Sequence, residues 1–171
     1  MKKSFLVTCL AVVAIFLITG CGKGSGSLSK NSKSISYKEY EVKSLKLELP
    51  DSWKVEQEAD GSLKTTNLGD TAFTINISNV PEKQFKYFGE TYMVNLIEEM
   101  EYTDVDSYES NEYSSYKAYD YKAETVIKGE KAPVKVTALS VDGSAVVLML
   151  VSADNNYNYE TIYNHILDSI K

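Results

Sequence analysis

The sequence contains no arginine: all 18 of its basic residues are lysine. Without guanidinium groups the chain cannot form the bidentate forks by which proteins commonly read phosphate and guanine. Histidine occurs once, at His165, and a metal site built on imidazoles needs more than one. Cysteine occurs at Cys9 and Cys21 and nowhere in the 150 residues that follow. The body of the chain therefore has no disulfide, no thiolate metal site and no cysteine nucleophile, and must stand on its core alone. There is no Gly-x-Ser-x-Gly elbow, phosphate loop, dinucleotide fingerprint or zinc spacing. No cofactor is expected.

What is present is enough apolar material for one core: 171 residues, 43% of them hydrophobic. The formal charge of −6 conceals a segregation. Five lysines and no acid lie in the first 36 residues, which leaves 13 lysines against all 24 acids in residues 37–171, a net of −11. A body this acidic is repelled by nucleic-acid phosphate and by anionic headgroups, so nucleic acid is excluded as the expected partner.

The N-terminus has the layout of a targeting signal. Lys2 and Lys3 precede a 14-residue apolar run, Phe5–Ile18, shorter than the roughly 20 residues of a bilayer-spanning helix. Gly20 then supplies the small residue that a cleavage site needs, immediately before Cys21. Ile18-Thr19-Gly20-Cys21 resembles the bacterial lipobox at all four positions. The resemblance implies cleavage between Gly20 and Cys21, a thioether-linked diacylglycerol on Cys21, and an extracytoplasmic domain held at the membrane. The competing expectation is an uncleaved short anchor with an incidental cysteine. Residues 22–36, rich in Gly, Ser and Lys, read as a flexible tether. The expected organisation is a signal peptide over 1–20, a lipidated cysteine and tether over 21–36, and a single domain over 37–171.

Within that domain, Leu45, Leu47 and Leu49 alternate as on a strand, as do Phe73, Ile75 and Ile77. Asp60-Gly61 and Asp142-Gly143 mark tight turns. After Pro81, Phe85, Phe88, Tyr92, Leu96 and Met100 recur at helical spacing, with Met93 and Ile97 widening the stripe. Strands return over 113–127 and 132–143, and the run 144–153 is apolar on both alternating faces, as a central covered strand would be. A last helix carries Tyr159, Ile162, Tyr163, Ile166, Leu167 and Ile170 behind capping asparagines. These elements predict an α+β domain, a mostly antiparallel sheet covered by helices on both faces. The order of elements, with Pro50 and Trp53 in LELPDSWKV, resembles the PsbP-like fold, whose strand–Pro-x-x-Trp–strand corner it matches. That resemblance implies an α/β/α sandwich with a binding or accessory role, since fold members do unrelated, mostly non-catalytic jobs.

Three sets of residues are candidates for chemistry. His165 and Asp168 are three apart on the last helix, within reach of one another; the alternative is a plain helix histidine. Glu98, Glu99, Glu101, Asp104, Asp106, Glu109 and Glu112 concentrate seven carboxylates without a lysine. They suit a solvated acidic edge, a weak cation site lacking the Gly and Glu of a calcium loop, or paired hydrolytic carboxylates. Tyrosine is abundant, with 13 in all and six between Tyr102 and Tyr121. On a strand over 113–127, Tyr113, Tyr119 and Tyr121 would share one face and Tyr116 the other. That face either packs under a helix or forms a recognition patch for protein or sugar. The expected function is a non-enzymatic binding or accessory domain for a protein or envelope component. The alternatives are a cell-wall sugar module using the tyrosines, or an envelope hydrolase using the carboxylates.

Overall fold

The computed structural model describes residues 35–66, 68, 71–100, 103–153 and 158–171, with backbone alone for 103–108. The signal peptide, Gly20, Cys21 and nearly all of the tether lie outside the described residues. Residues Lys33–Lys171 form one compact unit. No helix among the described residues is long and apolar enough to cross a membrane.

The described residues form nine strands, whose side chains alternate with period two, and three α-helices. A hairpin, β1 (Tyr37–Val42) and β2 (Leu45–Pro50), forms a small sheet of its own. The main sheet has seven strands: β3 (Lys54–Gln57), β4 (Leu63–Thr66), β5 (Thr71–Ser78), β6 (Thr103–Tyr113), β7 (Tyr116–Ile127), β8 (Glu130–Val141) and β9 (Ser144–Ser152). Their order is β3-β4-β5-β9-β8-β7-β6, and every ladder is antiparallel. β9 therefore takes the middle of the sheet, where Val146, Leu148 and Leu150 enter one core layer and Ala145 and Val147 the other. Four of the hairpins close through two-residue turns, each with its first residue at positive φ: Lys43, Ser114, Lys128 and Asp142. At Lys128 and Asp142 the next residue is a glycine, also at positive φ, which suits the twist of the flanking strands.

One face is covered by α1 (Glu82–Tyr87), a π-helical turn (Phe88–Tyr92) and α2 (Met93–Glu99). The buried side chains of this segment are Phe85, Phe88, Met93 and Ile97. The step of five from Phe88 to Met93 is one residue longer than an α-helix allows, and the π-turn absorbs it. Tyr92, Leu96 and Met100 consequently sit at the margin of the stripe. The other face is covered by α3 (Tyr159–Asp168) together with the β1–β2 hairpin. Asn158 caps α3, its side chain accepting from the Thr161 amide at 3.3 Å.

Two features of the fold depart from the sequence expectation. The second face is closed by a β-hairpin as well as a helix: Leu45, Leu47 and Leu49 point down onto the main sheet and are fully buried. The chain end joins this layer, because Lys46 and Lys171 exchange backbone hydrogen bonds at 3.2 and 3.0 Å. The acidic run also becomes structure, since residues 103–113 form edge strand β6. The expected strand over 113–127 is broken by the turn at Ser114-Ser115, so Tyr113 and Tyr116 face each other across a hairpin. At the Pro-x-x-Trp corner, the Trp53 amide donates to Pro50 O at 3.0 Å, and the buried indole packs 5.2 Å from the Phe73 ring.

Candidate functional site

The tyrosines expected to share a face are separated by the hairpin turn. Tyr119 and Tyr121 are 8% and 1% exposed and lie beneath the α1–α2 layer. Tyr113 belongs to β6 and packs on the opposite layer, against α3 and its neighbours. Of the two readings of Tyr113, Tyr119 and Tyr121, packing describes Tyr119 and Tyr121, which the sheet turns to the helix face, while the Ser114 turn places half-buried Tyr113 on another strand. Tyr121 has a specific task there. Its hydroxyl donates to Gly89 O at 2.7 Å, inside the π-turn, and Gly89 lies against the Tyr119 ring.

His165 meets a partner from a different element than its helix neighbour Asp168. Its Nε2 lies 3.0 Å from Glu48 Oε2 on β2, and its ring stacks on Tyr37 of β1 at 3.6 Å. Ser169 accepts from the Glu48 amide at 2.8 Å and donates to Ile166 O at 2.7 Å. Burial, followed by the Glu48 charge, raises the Tyr37 phenol above its ordinary value. The arrangement is a latch joining the hairpin to α3, and it offers no nucleophile for His165 to activate. Of the acidic run, Glu98, Glu99, Glu109 and Glu112 are exposed; Glu101 and the side chains of Asp104 and Asp106 lie outside the described residues. Among the described residues no group of three or more His, Asp or Glu side chains is placed to hold a metal ion.

The most concentrated polar chemistry lies at Asp120 of β7, which no motif announces. Asp120 Oδ1 accepts from Thr137 Oγ1 at 2.5 Å, and Oδ2 accepts from Asn111 Nδ2 at 2.6 Å and from the Tyr113 hydroxyl at 2.8 Å. The chain of hydroxyls extends inward: Tyr163 of α3 donates to Thr137 Oγ1 at 2.9 Å. Strands β6, β7 and β8 and helix α3 are thereby tied to one carboxylate. Burial pushes both phenols up, and Asp120 adds to the rise; for Tyr113 its hydrogen bond contributes as well. Both remain protonated donors at physiological pH. A carboxylate that already accepts three hydrogen bonds is satisfied and positioned, not poised as a base. The sequence signal for the site is faint: Asp120 follows Ala118 and precedes Lys122 and Glu124 on one face of β7, and nothing marks it from the other charged positions.

Shallow grooves open on the surface of the described residues, two of them with charged walls. One, of ≈ 350 Å³, lies where the β7–β8 ladder meets the first turn of α3, and its walls are Lys122, Glu124, Lys131, Lys135, Tyr159 and Glu160. Lys135 Nζ is 2.9 Å from Glu160 Oε1, and Lys131 Nζ is 2.6 Å from Glu124 Oε2. The hydrogen bond and charge of Lys135, with a further contribution from Lys122, lower the Glu160 carboxyl below its ordinary value. The other groove, of ≈ 380 Å³, separates the β1 edge from β3 and β4 at Tyr40, Val55 and Leu63.

No protein-family model matches the chain, and no curated protein matches it in sequence. Solved structures do match it in fold. The solution structure of cyanobacterial PsbP (CyanoP) from Synechocystis sp. PCC 6803 superposes with a TM-score of 0.56 at 11% identity, covering 84% of this chain and 96% of that one. LpqN of Mycobacterium tuberculosis, described as involved in cell envelope biogenesis, gives 0.53 at 13% identity over 81% and 91%. A protein from Bacteroides thetaiotaomicron VPI-5482 gives 0.52 at 8% identity over 74% of this chain and 44% of its own. The domain has the PsbP-like fold, α+β with a mostly antiparallel sheet, as its Pro-x-x-Trp corner implies.

Proposed function

We propose that the protein is a lipoprotein, anchored through diacylated Cys21 on the extracytoplasmic face of the membrane. Its PsbP-like domain serves there as a non-catalytic binding or accessory module for a protein or envelope component. The observation that carries the non-catalytic assignment is that the groups best suited to chemistry are already engaged in the scaffold. Asp120 accepts three hydrogen bonds, His165 is latched to Glu48, and the phenols of Tyr113 and Tyr163 donate to fixed partners. The exposure of Glu98, Glu99, Glu109 and Glu112 favours the same assignment over a hydrolase, which needs two facing carboxylates in unlike surroundings. The structural likeness to an envelope-biogenesis protein supports the location.

Two acyl chains on one cysteine satisfy the requirement that stable anchoring take two signals. Intact mass of the protein from membranes should show loss of residues 1–20 and addition of lipid; a mature, unlipidated species rejects the anchor. Cross-linking on intact cells should capture a partner with the wild-type protein and lose it with Cys21→Ala. Equal capture by both rejects a role that depends on tethering, and no capture by either rejects the binding role.

A further inference from the structure

We propose that the groove between the β7–β8 ladder and the first turn of α3 docks an extended acidic peptide segment of a partner protein. Glu160 occupies it in the free protein as an internal stand-in for the partner's carboxylate. The proposal rests on the binding role above and names the chemistry of its partner.

The argument starts from an arrangement that a strand pair ordinarily avoids. Lys122 and Lys135 stand directly opposite one another in the β7–β8 register, a like-charge pairing that is destabilising. The Lys135 side chain is only 14% exposed, and its ammonium is paired with an anion. Glu160 supplies one from the first turn of α3 while remaining 64% exposed itself. The anchored member of the pair is therefore the lysine, and the carboxylate is the member free to leave. Asp106 of β6 holds the register position on the other side of Lys122, and Lys135 is the lysine paired with Glu160.

The spacing selects an extended peptide. Lys131, Pro133 and Lys135 alternate along β8 on one face, so the two ammonium-bearing positions are about 13 Å apart along the strand. An extended ligand repeats that distance between its residues i and i+4. Pro133 and Tyr159 give the interval a partly apolar floor. A carboxylate suits the site because one already fits it. The absence of arginine forgoes the forked recognition that favours phosphate. In a domain of net −11, a groove with three lysines and two glutamates is a local reversal of sign, which orients an acidic segment as it arrives.

The test is an NMR shift titration of the full-length lipoprotein in detergent micelles at low ionic strength, with acetylated Glu-Ser-Ser-Ser-Glu amide as the probe. Saturable shifts should map to Lys131, Lys135 and Tyr159. The same composition with adjacent glutamates should bind more weakly. Glu160→Gln should tighten binding about two- to fivefold, the range in which removing an exposed competing ion pair acts. Glu82→Gln, on the opposite helix layer, should leave binding unchanged. Lys135→Ala should abolish saturation, and the exposed Lys122→Ala should weaken binding if the first variant fails to fold. Equal binding of the two peptides, no gain from Glu160→Gln, or tighter binding of inorganic phosphate overturns the proposal. In cells, a partner cross-linked equally well by wild type and by both lysine variants overturns this groove while the binding role stands; capture of no partner by any of them removes the role itself.

Discussion

The two faces of the central sheet are covered by different means, and strand β7 supplies side chains to both. Toward α1 and α2 it presents Tyr119, Tyr121 and Ala123, which meet Phe85, Phe88, Met93 and Ile97 in a mainly apolar layer. Toward α3 it presents Ala118 and Asp120, and there the layer is threaded by hydroxyls that end on a carboxylate. The first face is held by shape: Gly89 must lack a side chain for the helical segment to rest on the Tyr119 ring. The second is held by direction, through hydrogen bonds and the His165–Glu48 latch added to its leucines. Shape tolerates no added volume, whereas direction tolerates no lost partner.

That contrast can be broken most severely at Gly89. A methyl group there would sit 2.1 Å from the Tyr119 ring, so Gly89→Ala should destabilise the domain by about 3 kcal/mol, the upper part of the overpacking range. Chemical denaturation measures it, and a loss below about 1 kcal/mol would show that the helical layer is not seated by this contact. On the other face, Asp120→Ala should cost about 2 kcal/mol by leaving Thr137, Asn111 and Tyr113 without their common acceptor. Asp120→Asn, which keeps one oxygen, should cost less. A smaller and paired effect is expected from the two buried phenols. Tyr121→Phe and Tyr163→Phe should each cost about 1 kcal/mol, and their sum should be additive because they act on opposite faces. Marked coupling in the double mutant would mean that the sheet transmits strain between its layers.

The mildest test uses pH. Tyr113 and Tyr163 are both raised above the ordinary tyrosine value in the folded protein. Their contribution is therefore fully present below the unfolded value of about 10 and is lost as pH rises beyond it toward the folded values. Melting temperature should fall with increasing pH above that point. The fall should be shallower in Tyr113→Phe and Tyr163→Phe than in the wild type. An identical alkaline slope in all variants would remove the phenols from the explanation.

Much of this fold is legible in residue order. The alternation of Phe73 with Ile75, the doubly apolar run of β9, the Asp-Gly turns and the capped last helix all follow from local period and turn chemistry. The five-residue step between Phe88 and Met93 was also in the sequence, but an average helical spacing conceals it. The candidate sites were less legible. Seven acids without a lysine suit a solvated acidic edge, a cation site or paired hydrolytic carboxylates alike; the pairing of 103–113 with β7 makes part of the run a sheet edge, and its register shifts fit a charged edge protected from further pairing. The tyrosines read as a shared face because Ser114 carries no strong turn signal, although it takes a positive φ. His165 and Asp168 are neighbours by helical spacing, but Glu48 reaches the ring from 117 residues away.

Residue order alone thus determined the local period of most elements, the acidity of the body and the lipobox-like segment around Gly20 and Cys21. These are properties of neighbouring side chains and of summed charge, which need no fold to be expressed. Tertiary structure alone decided which face of each strand was covered and by what. It placed Tyr119 and Tyr121 under a helix, closed the second face with the leucines of a hairpin, made Asp120 a shared acceptor, and brought Glu160 to Lys135. Burial and hydrogen bonding at those positions depend on partners far along the chain, and a strand's period of two specifies that it has two faces without specifying what each will meet.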